Sequence, residues 1–316
     1  MHVLVIGDAN ADLTAPLERF PREGDDVPVA ALTWGSGGAG TNVATAIARL
    51  GGRARLLARV GVDPAAEVAL AAARRAGVEL DAVQRDPVRP TGLCFAAISP
   101  GGERTFFSSR GANPELSSPT TDPLHGVAWM HVCGHALLEG PQRETTLALA
   151  AEASRRDLPV SLDLCLPLLR AAPALALTFA ARLHVVFANE LELAALAEPL
   201  ERAVSALERG GVTLVAAKLG ARGSWLAGPV RRGVPAFPVA ARDTTGCGDA
   251  FAAGFIVATV RGAGPEVAAR VGNAAGALTA TRLGAADALP ARAEICALLA
   301  AHAAAAELDV LSIDQE

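Results

Sequence analysis

The chain has 316 residues, about half of them hydrophobic, and a net charge of −5. That length can bury a large core as one big α/β domain or as two domains, and without a basic stripe nucleic acid is not expected as the main partner. Lys218 is the one lysine among 28 basic residues and is followed by Leu219, so a Walker A loop, which needs Gly-Lys-Ser/Thr, is excluded.

In chain order, strands are predicted at 3–7, 54–60, 129–132, 159–163, 185–188 and 213–218. Helices are predicted at 41–50, 67–76, 143–156, 191–196, 250–260 and 265–281. Such alternation predicts an α/β fold whose parallel sheet is covered on both faces. No internal repeat and no long Gly/Ser linker divides the chain, so one domain over 1–316 is expected. Residues 13–34 and 90–110 break the pattern. They read as β-rich insertions, the second turning at Pro100-Gly101-Gly102. The chain opens directly as a strand, so no secretory signal is expected. No apolar run reaches the roughly 20 residues needed to span a bilayer. Five scattered cysteines without Cys-x-x-Cys fit free thiols in a reducing cytoplasm. The polar tail after Leu308 is expected to be loosely held.

Several short segments carry chemistry. Asn10 and Asp12 lie just past the first strand, where open α/β sheets bind ligands; a polar turn with Asx caps is the alternative. Gly35-Ser36-Gly37-Gly38-Ala39-Gly40-Thr41-Asn42 opens a helix and fits G-x-G-x-x-G, with Asp63 about 20 residues on. That spacing leaves an NAD(P)-dependent oxidoreductase open, although the motif does not sit on the first strand. The same glycines let a backbone approach a substrate, and the Asn42 amide can donate to one hydroxyl and accept from another. His131 and His135 with Cys133 offer soft metal donors, but the segment reads as a strand and its exit turn. Glu139-Gly140-Pro141 alone reads as a surface Glu before a helix. Asn189-Glu190-Leu191-Glu192 alone reads as a capped helix start, and Lys218 to Gly223 as a strand-to-hairpin turn.

The most specific segment is Asp243-Thr244-Thr245-Gly246-Cys247-Gly248-Asp249-Ala250-Phe251. Small residues followed by an apolar helical run make successive backbone N–H groups into an anion site. A carboxylate beside such a cradle disfavours simple phosphate binding. It makes sense if Asp249 takes a proton from a hydroxyl while Gly246, Cys247 and Gly248 hold charge on a transferring phosphoryl group.

This nonamer resembles the D-T-x-G-A-G-D signature of the PfkB carbohydrate kinases, with Cys247 in place of the usual Ala. Gly37 to Ala44 is similar to the family's first signature, and the resemblance runs from Gly7 to Gly284. It implies a ribokinase-like three-layer α/β/α fold, with the two insertions forming a β-sheet lid that closes over the substrate and often makes a homodimer. It implies ATP and Mg²⁺ as cofactors, K⁺ in many members, and a small sugar as substrate, ribose- or ketose-like, with a nucleoside as the alternative acceptor. Asn10, Asp12, Gly37, Gly38, Asn42 and Glu139 would grip the sugar. Asn189 and Glu192 would organise Mg²⁺ through water. Lys218, Gly220, Gly223, Thr244 and Asn273 would meet the nucleotide. Asp243, Thr245, Ala280, Leu283 and Gly284 would hold the monovalent cation. The chain has Ala39 where ribokinases usually carry Lys, and 163–167 lacks the Asn and Arg of the Asp-x-Asn-x-Arg stretch that ketose and 2-keto-3-deoxygluconate kinases often show.

Overall fold

Strand and helix segments build two main sheets of unequal size. The computed structural model describes residues 2–29, 31–100, 104–181 and 183–312. Its strands are β1 (His2–Ile6), β2 (Asn10–Pro16), β3 (Thr33–Gly37), β4 (Arg53–Leu57), β5 (Arg59–Gly61), β6 (Gln84–Asp86), β7 (Gly92–Ile98), β8 (Arg104–Ser109), β9 (Val127–Cys133), β10 (Val160–Asp163), β11 (Val185–Asn189), β12 (Leu214–Lys218), β13 (Ser224–Ala227) and β14 (Arg232–Val234). The helices are α1 (Ala39–Arg49), α2 (Pro64–Arg75), α3 (Gly140–Arg155), α4 (Leu166–Ala171), α5 (Pro173–Ala180), α6 (Glu190–Leu196), α7 (Leu200–Gly210), α8 (Cys247–Val260), α9 (Pro265–Ala280), α10 (Arg292–Ala301) and α11 (Ala305–Ser312).

The large sheet has the order β14-β13-β12-β11-β10-β9-β1-β4 and is parallel from β4 through β12; only β13 and β14 pair antiparallel. In β1, Val3 and Val5 enter one core while Leu4 and Ile6 enter the other. A strand buried on both faces must be apolar throughout, which is why these segments read as continuous hydrophobic runs. The first core gathers α1, α2 and α8 to α11; the second gathers α3 to α7. The Phe187 ring on β11 meets Phe255 edge-on at 5.4 Å and Phe251 at 6.1 Å, so α8 is fixed over the middle of the sheet.

The small sheet has the order β3-β2-β7-β8. It begins at Asn10, earlier than the predicted insertion, and residues 17–29, 31 and 32 add no strand to it. Gly101 and Gly102 of the expected turn lie outside the described residues. The chain leaves the sheet where it entered, with Ala112 N–H donating to Pro90 O at 2.8 Å.

Two expectations are corrected. Residues 54–60 are not one strand. β5 leaves the large sheet to pair with β6, where Arg59 meets Asp86 at 2.8 Å and Gln84 at 3.0 Å. The tail is not loose as far as Ser312, because α11 buries Leu311 completely against the first core.

Phe187 is fully buried and holds both α8 rings. Phe187→Ala should lower stability by about 3–5 kcal/mol, measured by urea unfolding; a loss under about 1 kcal/mol would show that α8 is held by other contacts.

Candidate active site

The carboxyl ends of β1, β10, β11 and β12 and the amino ends of α1 and α8 bring polar groups from distant parts of the chain together, as expected of an open parallel sheet. Asn42 Nδ2 donates to Asp249 Oδ2 at 2.7 Å, linking the first turn of α1 to the first turn of α8. Gly246 caps α8 at φ 75°, a left-handed conformation that side chains disfavour. The predicted anion cradle is therefore a helix start, with a difference in detail. Cys247 N–H turns back to the Thr244 carbonyl at 3.2 Å, so one of the three expected amides is engaged within its own turn.

Lys218 does not extend into the turn that follows it. Gly220–Arg222 makes a 3-10 turn, Gly223 follows, and the chain folds back as β13, the hairpin that was the alternative reading. The Lys218 ammonium instead donates to Asp163 Oδ1 at 2.6 Å, with the two side chains only 13% and 11% exposed. A Cβ added at Gly248 would lie 3.1 Å from Lys218 Nζ, so the ammonium sits directly under the first turn of α8. Asp163, Glu192 and Asp249 together hold the Lys218 pKa above its ordinary value despite burial. Sequence reasoning did not select Asp163 as a site residue; the signal was its place at the carboxyl end of a predicted strand.

Glu192 and Asn189 form a capping box. Glu192 Oε2 accepts from Asn189 N–H at 2.7 Å and Asn189 Oδ1 from Glu192 N–H at 2.9 Å. The helix-cap reading is therefore met, and the same carboxylate faces the cluster. Burial, with Asp163 and Asp249 nearby, pushes Glu192 up to about 7. Burial and Asp163 push Asp249 to about 7 against the opposing pull of Asn42 and Lys218. Burial and the Asp249 charge take Asp12 to about 7 as well.

On the other side of Asp249, the small sheet contributes Asn10 and Asp12. Gly37 packs against Asp12, since an added Cβ would lie 2.1 Å from Asp12 Oδ2 and the carboxylate would have to move. Gly38 follows as the cap of α1, with its backbone against Asp8 O. Among the described residues Asp12 Oδ1 and Asn42 Oδ1 are buried acceptors without a hydrogen-bond partner. Native structures leave few such atoms, and two beside one carboxylate fit a ligand that brings hydroxyl donors. Glu139 immediately precedes α3 at the surface, and its side chain meets Arg110 Nη1 at 3.3 Å. Sequence reasoning passed over Arg110, which clasps Asp8 through two bonds of 2.9 and 3.1 Å and also donates to Gln142 Oε1 at 2.6 Å and His135 O at 3.0 Å.

The remaining predicted residues divide. Asp243 accepts from Thr245 N–H at 2.7 Å and from Gly284 N–H at 2.8 Å, and Ala280 O accepts from Asp243 N–H at 3.1 Å. The structure thus joins 243–245 to 280–284, with Leu283 exposed. Asn273 uses its amide to hold Val234 O at 3.0 Å and Pro235 O at 3.2 Å. Asp63 caps α2 and binds Thr91 N–H and Oγ1, each at 2.7 Å, and the glycine motif joins the small sheet to α1. Neither feature has the dinucleotide arrangement, which needs a strand of the parallel sheet before the glycines and an acidic residue facing a ribose. His131 is fully buried, bonds Ser161 Oγ at 2.9 Å and is pushed by burial down to about 3, while His135 lies in the exit turn. Among the described residues no group of three His, Cys, Asp or Glu could hold a metal ion. No described helix is long and apolar enough to cross a membrane.

Comparison with known proteins identifies the family and agrees with the fold. The pfkB family carbohydrate kinase profile matches residues 1–292. The chain is 32% identical to the ATP-dependent ribose-1-phosphate kinase of Halopiger xanaduensis, over 90% of this chain and 94% of that protein. It is 30% identical to a fructokinase of Vibrio alginolyticus, over 93% and 97%. The Arabidopsis thaliana ribokinase solved with ribose and ATP superposes with a TM-score of 0.81 at 27% identity, covering 94% of this chain and 98% of that one.

In the folded protein Asp249 holds a proton that the unfolded chain releases near its ordinary value of 3.8. The resulting stabilisation is complete below that value and lost as pH rises through about 7. Asp249→Asn removes this dependence, so the stability of the variant relative to wild type should rise as pH passes through about 7. Denaturant midpoints of the two proteins across that range test it. A constant difference would mean that Asp249 titrates in its ordinary range. Taking the difference cancels the opposite slope from His131, whose pKa is depressed.

Proposed function

The chain belongs to the PfkB family of carbohydrate kinases, and from that premise we propose that it uses ATP to phosphorylate a hydroxymethyl group of a small ribose- or ketose-like sugar. One observation carries the reading: Asp249, shifted to about 7, stands at the start of α8 within 2.7 Å of the Asn42 amide. A carboxylate tuned close to the working pH is suited to take a hydroxyl proton and does not hold it too tightly. Asp12 Oδ1 and Asn42 Oδ1 supply acceptors for other hydroxyls of the same sugar. The first turn of α8 supplies helix-start backbone N–H groups where phosphoryl charge develops.

The sugar kinases among its relatives support ATP as the donor, and a ribokinase of 27% identity was solved with ATP. The donor set fits a magnesium ion carried by the nucleotide. Glu192 is oxygen-donating and faces the cluster, yet one of its oxygens is engaged in the helix cap, so contact through water suits it better than direct ligation. Magnesium supplies neutralisation of phosphate charge. The junction of Asp243 and Thr245 with 280–284 supports a monovalent-cation site there, K⁺ being the ion the family resemblance implies. Exposed Trp34, Phe106 and Phe107 on the small sheet support its role as a lid that also meets a second copy of the chain.

A phosphorylated pentose is the second reading, favoured by the ribose-1-phosphate kinase relative. Arg110 is the cation that would serve it. Its charge is already matched by Asp8, and Glu139 adds a second carboxylate, so a neutral sugar suits the site better.

Asp249→Asn should lower kcat by at least ~10²-fold while ATP binding, read by calorimetry, survives. Near-normal turnover would remove Asp249 as the base. In the wild type, kcat/KM should rise with pH through an apparent pKa of about 7 that belongs to the coupled carboxylates. ADP release measured against ribose, fructose, 2-keto-3-deoxygluconate, ribose 1-phosphate and nucleosides, with and without K⁺, decides the acceptor and the cation dependence. Turnover of ribose 1-phosphate alone would replace the first reading with the second.

A further inference from the structure

Asn113 is completely buried in the turn that follows the small sheet, and every polar atom of its side chain is engaged. Its Oδ1 accepts from the Ala9 backbone N–H at 2.9 Å. Its Nδ2 donates to the Arg110 backbone carbonyl at 2.8 Å and to Asn10 Oδ1 at 2.9 Å. A main-chain N–H only donates and a main-chain carbonyl only accepts, so these two contacts fix which end of the Asn113 amide is which. The atom of Asn10 that faces Asn113 must then be its oxygen, which leaves the Asn10 NH₂ for the site. Gly92 makes room for the pair, since a Cβ there would lie 2.1 Å from Asn10 Oδ1 and 2.4 Å from Asn113 Nδ2.

We propose that Asn113 is a positioning residue that holds the Asn10 amide as a hydrogen-bond donor toward the acceptor sugar. The acceptor subsite then presents a fixed polarity. Asn10 offers a donor, while Asp12 Oδ1 and Asn42 Oδ1 offer acceptors. The sugar must bring an oxygen lone pair to the first and hydroxyl hydrogens to the other two. Because Asn113 sits where the chain returns from the small sheet, it also couples that sheet's seating to the orientation of Asn10. The inference rests on the sugar-kinase reading above.

A double-mutant cycle on the full chain tests it, with steady-state kinetics on the sugar that the wild type turns over. In Asn113→Asp the second carboxylate oxygen faces the Arg110 carbonyl, and Asn10 must turn its NH₂ toward position 113. The sugar KM should rise about tenfold, a loss on the scale of one hydrogen bond, while the KM for ATP stays the same. In an Asn10→Ala background the same change should add nothing. Asn10→Asp keeps the bond from Asn113 but turns an acceptor toward the sugar, and should give the same KM rise. A similar rise from Asn113→Asp in both backgrounds would overturn the relay and leave the kinase reading standing. If Asn113→Asp does not fold, Asn10→Asp decides, and an unchanged sugar KM overturns the proposal. Wild-type protein that phosphorylates no sugar would overturn both readings together.

Discussion

One buried ammonium organises the site. Lys218 ends β12, its closest partner Asp163 ends β10, Glu192 opens α6, and Asp249 opens α8. A single positive charge among three carboxylates joins four separate elements at one point. Removing one member of a buried pair generally costs about 3–5 kcal/mol, because the other charge is left without a partner in a poorly solvating place. The excess of carboxylates over cations has a second consequence. Burial first, and then this crowding of carboxylates, opposes ionisation, so Glu192 and Asp249 move up to about 7. The constraint that makes the cluster electrostatically expensive also brings two of its carboxyls close to neutral pH.

The second constraint is the seating of the small sheet on the large one. Arg110 and Asn113 stand where the small sheet returns to the body of the chain, and both reach the segment after β1. The Asp8 backbone carbonyl in that segment accepts from Gly40 N–H at 3.0 Å, at the start of α1. Asn10 of the small sheet and the start of α1 are therefore held to one reference point. A site assembled in this way keeps its geometry as long as the junction is intact.

Much of the fold was legible. The apolar runs of β1, β9, β10, β11 and β12 and the longer alanine-rich helices lie close to where their patterns put them, because burial on both faces dictates composition along the whole element. Reading failed where a pattern was locally ambiguous. Ala58 continues an apolar run, yet Arg59 finds its partners on β6 and the strand divides there. The polar look of the last residues concealed Val310 and Leu311, which with Leu308 dock a short helix on the first core. Asp63 has the spacing of a ribose ligand and the job of a helix cap, since the same carboxylate chemistry serves either role.

What the sequence by itself determined were features carried within short windows: the parallel α/β frame, the glycine-capped start of α8 with Asp249 in its first turn, and the capping pair of Asn189 and Glu192. Spacing along the chain is enough for those, because the partners are neighbours on one helix. Only the tertiary structure decided that Lys218 turns to Asp163 and not to its own turn, that Asn42 meets Asp249, and that Asn113 faces Asn10. Those partners are 55, 207 and 103 residues apart. Periodicity tells which face of an element is buried, but the order of strands and the convergence of their ends choose which polar groups share a low-dielectric space, and that choice sets their hydrogen bonds and their charge.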